Sequence, residues 1–386
     1  MSAVKKRRKL SLPSRANLCL YRWVFRALAN RRPAHPRPVS LGPSSRVLVF
    51  SSAGLGDSLL DSVAIRALAE SFPGIEIHAV VHHRRPDISI HNPFLHKLHF
   101  LRKGPPAFVR LWRELQDDGP WDAILYLSCH DPEARCLGFL LNKHATAGLA
   151  WRTEFPFLCA YNIEEPGLQR AHLSTQALRV AEQFSATTSY QRMVYEVAAN
   201  DRSALSARLV QAGFPVEKLP QAIIFQLGGG GAAYRDWPVE HFLDLGNRLA
   251  ADGIAPLVIL GGPDHRKKAD AFAGRAAFPF YDMVGRLPLP LSAALIEGAR
   301  CLVSTDTGIM HLGFALGTPT VALLHCSPGR ARVGPLADTH LHEMLELPKP
   351  EGYHQPSDAS MKNLRPEAVF PLVKKALARR GEHAIP

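Results

Sequence analysis

The sequence predicts an α/β protein made of two doubly wound, parallel-sheet domains in tandem. Three observations lead there. Short apolar runs of strand length alternate with amphipathic helical stretches. The alternation starts twice, at "RVLVFSS" (46–52) and again at "AIIFQLG" (222–228), and each start opens into a glycine-rich turn. A chain of 386 residues, 46% of them hydrophobic, can bury two ordinary cores.

The elements follow in order. Residues 1–38 hold eleven of the 46 bases and none of the 34 acids, so the formal charge of +12 sits almost wholly in this arm. Within it "NLCLYRWVFRALAN" (17–30) has helical spacing, with Trp23 and Phe25 beside Arg22 and Arg26. Such a helix suits an anionic membrane surface; the other reading is an unstructured basic tail. No nucleic-acid-binding motif accompanies the charge, so a nucleic-acid partner is not expected. Arg22 and Arg26 interrupt the apolar stretch, which argues against a secretory signal. No run approaches the roughly 20 apolar residues that span a bilayer. Six scattered cysteines, none in a CxxC pair, fit a reducing compartment. The expected location is the cytoplasm, at the inner face of the cytoplasmic membrane if the arm binds lipid.

A proline-rich linker, "RRPAHPRPVSLGPSS" (31–45), leads to the first strand, then "AGLGDSLL" and a helix at 62–72. Strands at 75–82 and 121–128 flank a helix at 107–116. Helices at 174–184 and 202–214 precede a hinge at 215–220. The second unit reads as strand 222–228, helix 239–253 closed by Gly253, strand 255–262, helix 291–299, strand 301–306, a helix through "MHLGFALG", and strand 319–324. The implied division is a basic arm and linker (1–45), a first domain (46–200), an interdomain linker (201–220), a second domain (221–365), and a C-terminal helix and tail (366–386).

Doubly wound domains bind ligands at the carboxyl ends of their strands, where these turns lie. In "STDTG" the strand delivers Asp306 to a turn, and Thr307 and Gly308 open the next helix. The free N–H groups there suit a diphosphate, and Gly308 permits close approach. Asp306 cannot favour phosphate by charge, so it belongs against sugar hydroxyls. His311, one turn on, can donate to the ligand or fasten the loop. The plainer alternative is that Asp306 or Thr307 caps the helix and His311 is a core histidine.

In "SSAGLGD", Gly54 and Gly56 precede Asp57 at a helix mouth. Asp57 is either a cap or a cleft-facing general base. The loop lacks the lysine of a P-loop and the third glycine of the dinucleotide fingerprint. "GGGGAAYRDWP" (228–238) leaves a bare main chain, including Gly229 and Gly230, for a phosphate that Arg235 can clamp; the alternative is a flexible loop with a surface arginine. In "LGGPDHRKKAD" (260–270), Asp264 or His265 either meets ribose hydroxyls or caps a helix. The histidines at 78, 82, 83, 91, 96 and 99 form no ligand pair on one predicted helix, so no metal site is expected.

Taken in order, Gly-x-Gly-Asp, a Gly-rich loop with Arg-x-Trp-Pro, Leu-Gly-Gly-Pro, Asp-Thr-Gly-x-x-His and Gly-Thr-Pro-Thr-Val-Ala-Leu resemble the heptosyltransferases, glycosyltransferase family 9. The resemblance covers roughly residues 46–335 and is strongest in "DTGIMHLGFALGTPTVAL". It implies a GT-B fold and metal-independent, inverting transfer of a heptose from an ADP-sugar to a lipopolysaccharide-core acceptor, an anionic glycolipid. No cofactor is implied beyond the donor itself. By motif, Asp57 matches the catalytic carboxylate, Arg235 a basic residue at the diphosphate, and Asp306, Thr307, Gly308 and His311 the donor loop. Asp264 and His265 fall near a ribose-binding position. The longer first loop, the glycine run and the basic arm depart from the pattern. Two alternatives stay open: a GT-B sugar-nucleotide epimerase, and a non-catalytic sugar-nucleotide or glycan-binding protein.

Overall fold

The computed structural model describes residues 12–228, 231–254 and 256–379, with side chains from Cys19 onward. Gly229 and Gly230 lie outside the described residues. Helix α1 (Leu12–Arg31) precedes a first sheet of β1 (Arg46–Phe50), β2 (Glu76–His82), β3 (Lys97–Leu101), β4 (Ala123–Tyr126), β5 (Thr146–Leu149) and β6 (Tyr161–Ile163). Helices α2 (Leu55–Ser71), α3 (Asp87–Ile90), α4 (Pro105–Asp117) and α5 (Pro132–Asn142) connect these strands, and α6 (Leu173–Ala181) and α7 (Ala199–Gln211) follow. The second sheet holds β7 (Ile223–Gln226), β8 (Leu257–Leu260), β9 (Phe280–Asp282), β10 (Cys301–Thr305), β11 (Thr320–Leu324) and β12 (Glu343–Glu346). Its helices are α8 (Val239–Ala251), α9 (Arg266–Ala273), α10 (Leu289–Gly298), α11 (Gly308–Leu316), α12 (Arg330–Val333) and α13 (Pro366–Ala378).

Both sheets are parallel and share one order. The first runs β3-β2-β1-β4-β5-β6 and the second β9-β8-β7-β10-β11-β12. Each sheet therefore reverses direction between its first and fourth strands, and a crevice opens there at the carboxyl ends. The glycine-rich turn after β1, the one after β7 and the Asp-Thr-Gly turn after β10 all sit at these switch points. The central strands are mostly apolar and buried at every position because helices cover both faces of the sheet.

Residues 201–220 are mostly helical: α7 packs on α10 of the second half, and a 3-10 turn spans Val216–Gln221. One apolar cluster runs through both halves, drawing on Leu59, Val63, Ala177, Leu295, Leu312 and Phe314. Helix α2 crosses against α11 at its centre.

The arm helix corrects its sequence reading. Tyr21 and Phe25 are buried, with rings 5.4 and 6.3 Å from Phe108, and Phe139, Phe155 and Leu158 complete the cluster. Phe25 is therefore a packing residue, and α1 is a docked helix of the first half. Its outward side carries Arg22, Trp23 and Arg26, with Trp23 75% exposed.

Candidate active site

The turn after β1 is the first turn of α2 rather than a loop before it. Helix α2 begins at Leu55 with Gly54 as N-cap, so Asp57 occupies the third helical position. The Asp57 Oδ2 atom accepts from the Gly54 backbone N–H at 3.1 Å. That bond satisfies an orphan donor and orients the carboxylate. Asp57 is half-buried and, among the described residues, pairs with no cation.

The turn after β10 is built differently. Thr307 is the N-cap of α11, its hydroxyl accepting from Met310 N–H at 3.4 Å. Asp306 is therefore free of capping duty. It is 4% exposed, and its Oδ2 lies 3.2 Å from Arg235 Nη1, an ion pair by distance that is not aligned as a hydrogen bond. Burial raises the Asp306 pKa, Arg235 opposes the rise, and the Asp57 charge adds to it. Arg235 stands beside the helix start, steadied by Tyr234, whose hydroxyl is 3.2 Å from Nη2. It meets Asp306 first, so the loop's cation is already partly engaged.

The two turns face each other. A Cβ placed on Gly56 would lie 2.7 Å from His311 Cδ2 and 3.6 Å from Gly308 Cα. One placed on Gly308 would lie 2.0 Å from Leu55 Cδ2. Here Gly308 serves close approach between the helices. His311 is 3% exposed, its Nε2 is 3.9 Å from Asp306 Oδ1, and its Nδ1 has no hydrogen-bond partner in the described protein. Burial pushes the His311 imidazole down to about 4, so it is neutral at pH 7. Its ring packs against Gly56 of the facing turn and carries no positive charge.

Asp264 stays apart from this group. It is exposed, in the 3-10 turn Pro263–His265, and its contact is His265 Nδ1 at 3.4 Å. His265 is the residue that meets the glycine loop: a Cβ on Gly228 would lie 1.9 Å from its Nε2.

Sequence reasoning missed Leu55, which covers Gly308, and Asp61, one turn beyond Asp57. Asp61 is fully buried and accepts from Ser51 Oγ at 2.6 Å and from Ser128 N and Oγ at 2.9 Å each. Burial pushes its carboxyl up to about 6 against those bonds. The network ties the loops after β1 and β4 to α2 and so fixes the platform on which Asp57 stands. A polar residue on the buried side of α2 was the available signal.

Comparison with known proteins decides the family. The family model for glycosyltransferase family 9 (heptosyltransferase) matches residues 109–357. The chain belongs to glycosyltransferase family 9. This family 9 chain is 24% identical over 301 residues to lipopolysaccharide heptosyltransferase 1 of Escherichia coli K12, covering 72% of the chain and 87% of that protein. Among solved structures it resembles a family 9 glycosyl transferase from Veillonella parvula DSM 2008 with a TM-score of 0.75, 19% identity and coverage of 88% and 99%. It resembles the E. coli ADP-heptose lipopolysaccharide heptosyltransferase II with a TM-score of 0.71, 17% identity and coverage of 87% and 99%. The fold is GT-B, and the protein is a glycosyltransferase.

Proposed function

We propose that this glycosyltransferase moves a heptose from ADP-heptose to a lipopolysaccharide-core hydroxyl, with inversion and without a metal at the reacting atoms. One observation carries the reading: the Asp57 turn and the Asp-Thr-Gly turn meet across the two halves, with Arg235 at their side. The names of the relatives supply the donor and the acceptor class.

In this reading the donor diphosphate lies at the start of α11. The N–H groups of Gly308 and its neighbours and the Arg235 guanidinium stabilise the charge that builds on the leaving ADP. Such preorganised dipoles act most strongly where water is excluded. Leu55 must rotate off Gly308 to admit the diphosphate. Asp57 takes the proton from the acceptor hydroxyl as its oxygen attacks the anomeric carbon opposite the leaving group. Asp306, set in the same turn, suits sugar hydroxyls, and Arg235 moves from Asp306 toward phosphate when the donor arrives.

The acceptor is a glycolipid in this reading, and the surface that meets its membrane is composite. Leu20 and Trp23 of α1 are exposed, and so are Val109, Arg110 and Arg113 of α4, the helix whose Phe108 meets Tyr21. Among the described residues, no helix is long and apolar enough to cross a membrane. Apolar tips among arginines suit the face of an anionic bilayer. Deleting 1–38 would uncover Phe108 and Phe139, so point substitution is the cleaner probe. Trp23→Ser combined with Arg22→Ser should abolish binding to anionic vesicles and leave the fold intact.

The direct test is turnover. ADP-heptose with a heptose-free lipopolysaccharide core should give product whose anomeric configuration, read by NMR, is opposite to that of the donor, in the presence of EDTA. Retained configuration, loss of turnover in EDTA that magnesium restores, or turnover only with another sugar nucleotide would each overturn the corresponding part.

A further inference from the structure

The first sheet carries a second cluster of chemistry at the end away from the cleft. In the parallel register of β2 and β3, His78 is opposite Lys97 and Val80 is opposite His99. His78 and His99 therefore share one face of the sheet on adjacent strands. That face is covered by α4, whose last turn brings Glu114, and whose C-cap residue Asp118 follows, over the two rings. His78 is 3% exposed and His99 is fully buried, and Trp121 stands edge-on to both rings at 4.9 and 6.3 Å.

The hydrogen bonds leave a specific deficit. His78 Nε2 lies 2.8 Å from Glu76 Oε1, and His99 Nδ1 lies 2.6 Å from Glu114 Oε1. A carboxylate only accepts, so each ring spends its N–H outward on its own glutamate. The inner atoms, His78 Nδ1 and His99 Nε2, are then two lone pairs facing each other at 3.1 Å. Asp118 Oδ2 adds a third acceptor, 3.6 Å from His99 Nε2, and the three inner atoms all lie within 4.8 Å of one another. Two buried lone pairs 3.1 Å apart require a proton or a metal ion between them, and the Asp118 carboxylate, which also receives Lys97, stands at the partly open side of the pair.

We propose that His78, His99 and Asp118 form a zinc site of three protein ligands, with the fourth position taken by water on the partly exposed Asp118 side. Ligands at about 2.0–2.2 Å on a tetrahedral ion stand about 3.3 Å apart; the His78–His99 and His99–Asp118 separations, 3.1 and 3.6 Å, lie on either side of that value, and the third is within 4.8 Å. Two imidazoles and a carboxylate are a donor set that zinc takes. Glu76 and Glu114 are the outer carboxylates that fix the tautomer and orientation of ligating histidines. Lys97 Nζ also donates to Asp118, at 2.9 and 2.7 Å, but its side chain is half exposed and can turn to solvent. The ion would pin β2, β3 and the end of α4. His78 lies four residues, about 13 Å of strand, before the carboxyl end of β2. The site is thus independent of the transfer chemistry and of the reading given for it.

The test uses the full chain without a histidine tag, stripped with chelator and titrated with zinc alone against a chromophoric chelator. One equivalent should bind and raise Tm, and cobalt in its place should give visible absorption of a tetrahedral ion. His99→Ala should abolish that equivalent. Glu114→Gln, at an exposed position that leaves the fold intact, should weaken it about 10–100-fold with an unchanged Tm in chelator. Substoichiometric zinc, or an affinity indifferent to Glu114→Gln, overturns the proposal and leaves a proton as the bridging cation.

Discussion

The two halves each present an acid at the mouth of a helix, and they treat it in opposite ways. Asp57 sits inside the first turn of α2, half-buried, held by one backbone N–H. Asp306 sits just before α11, buried, with Thr307 doing the capping and Arg235 supplying the charge. Identical chemistry at matching switch points thus yields one carboxylate without a countercharge among the described residues and one held in an ion pair. The lesson is that an acid's place relative to the N-cap decides its availability: within the helix it can cap and still face outward, whereas before the helix it needs a partner.

The largest expected effect tests that contrast at once. Asp57→Asn should lower kcat by about 10²–10⁴-fold and leave donor affinity unchanged. Asp306→Asn should act mainly on donor KM, and equal kcat losses in the two variants would erase the distinction. Next comes stability. Arg235→Ala leaves Asp306 buried without its countercharge, and since Arg235 is partly exposed the cost should be about 2 kcal/mol in denaturant melts. Adding Asp306→Asn should recover most of it.

The contact between the turns comes third. Gly308→Ala meets Leu55 and should cost about 1–3 kcal/mol, and Leu55→Ala in the same chain should relieve it. Additive losses in the double variant would mean that the halves do not meet there.

Acid sensitivity is smaller. Burial holds His311 near about 4 and His342 near about 3, both below the ordinary 6.5. Their folded forms resist a proton that the unfolded chain accepts, so stability falls as pH drops below 6.5, by at most roughly 1.4 kcal/mol per pH unit for each group. Asp61, raised to about 6 from 3.8, works against this, since the folded state holds its proton more tightly. His342→Phe, beside Phe314, should flatten the slope of Tm between pH 6.5 and 5. The smallest effect belongs to Asp264→Ala, which should leave donor affinity within about 0.5 kcal/mol while His265→Ala weakens it.

Much of the fold was legible because the central strands are apolar runs. The edge strands were not. "KLHFL" carries two polar residues among five, "FYD" is three residues long, and "EMLE" begins and ends in acid. Such segments become strands because a neighbour offers a ladder. At the site, the acids and glycines were visible as local patterns, and Asp57, Arg235, Asp306 and His311 do gather. What local pattern could not carry was pairing: Arg235 with Asp306, Leu55 over Gly308, and His78 beside His99 all depend on tertiary placement or strand register. One residue of the arm misled for a related reason, because Phe25 looks like a lipid-facing side chain until Phe108 and Phe139 supply a protein face.

The bare backbone at Gly56 and Gly308 carries a consequence for recombination. Because each turn nests where the other lacks a side chain, the two halves bear a lock and key made of missing atoms. A chimera that joins this donor half to a foreign acceptor half will close its cleft only if the incoming turn brings its own glycine to that spot.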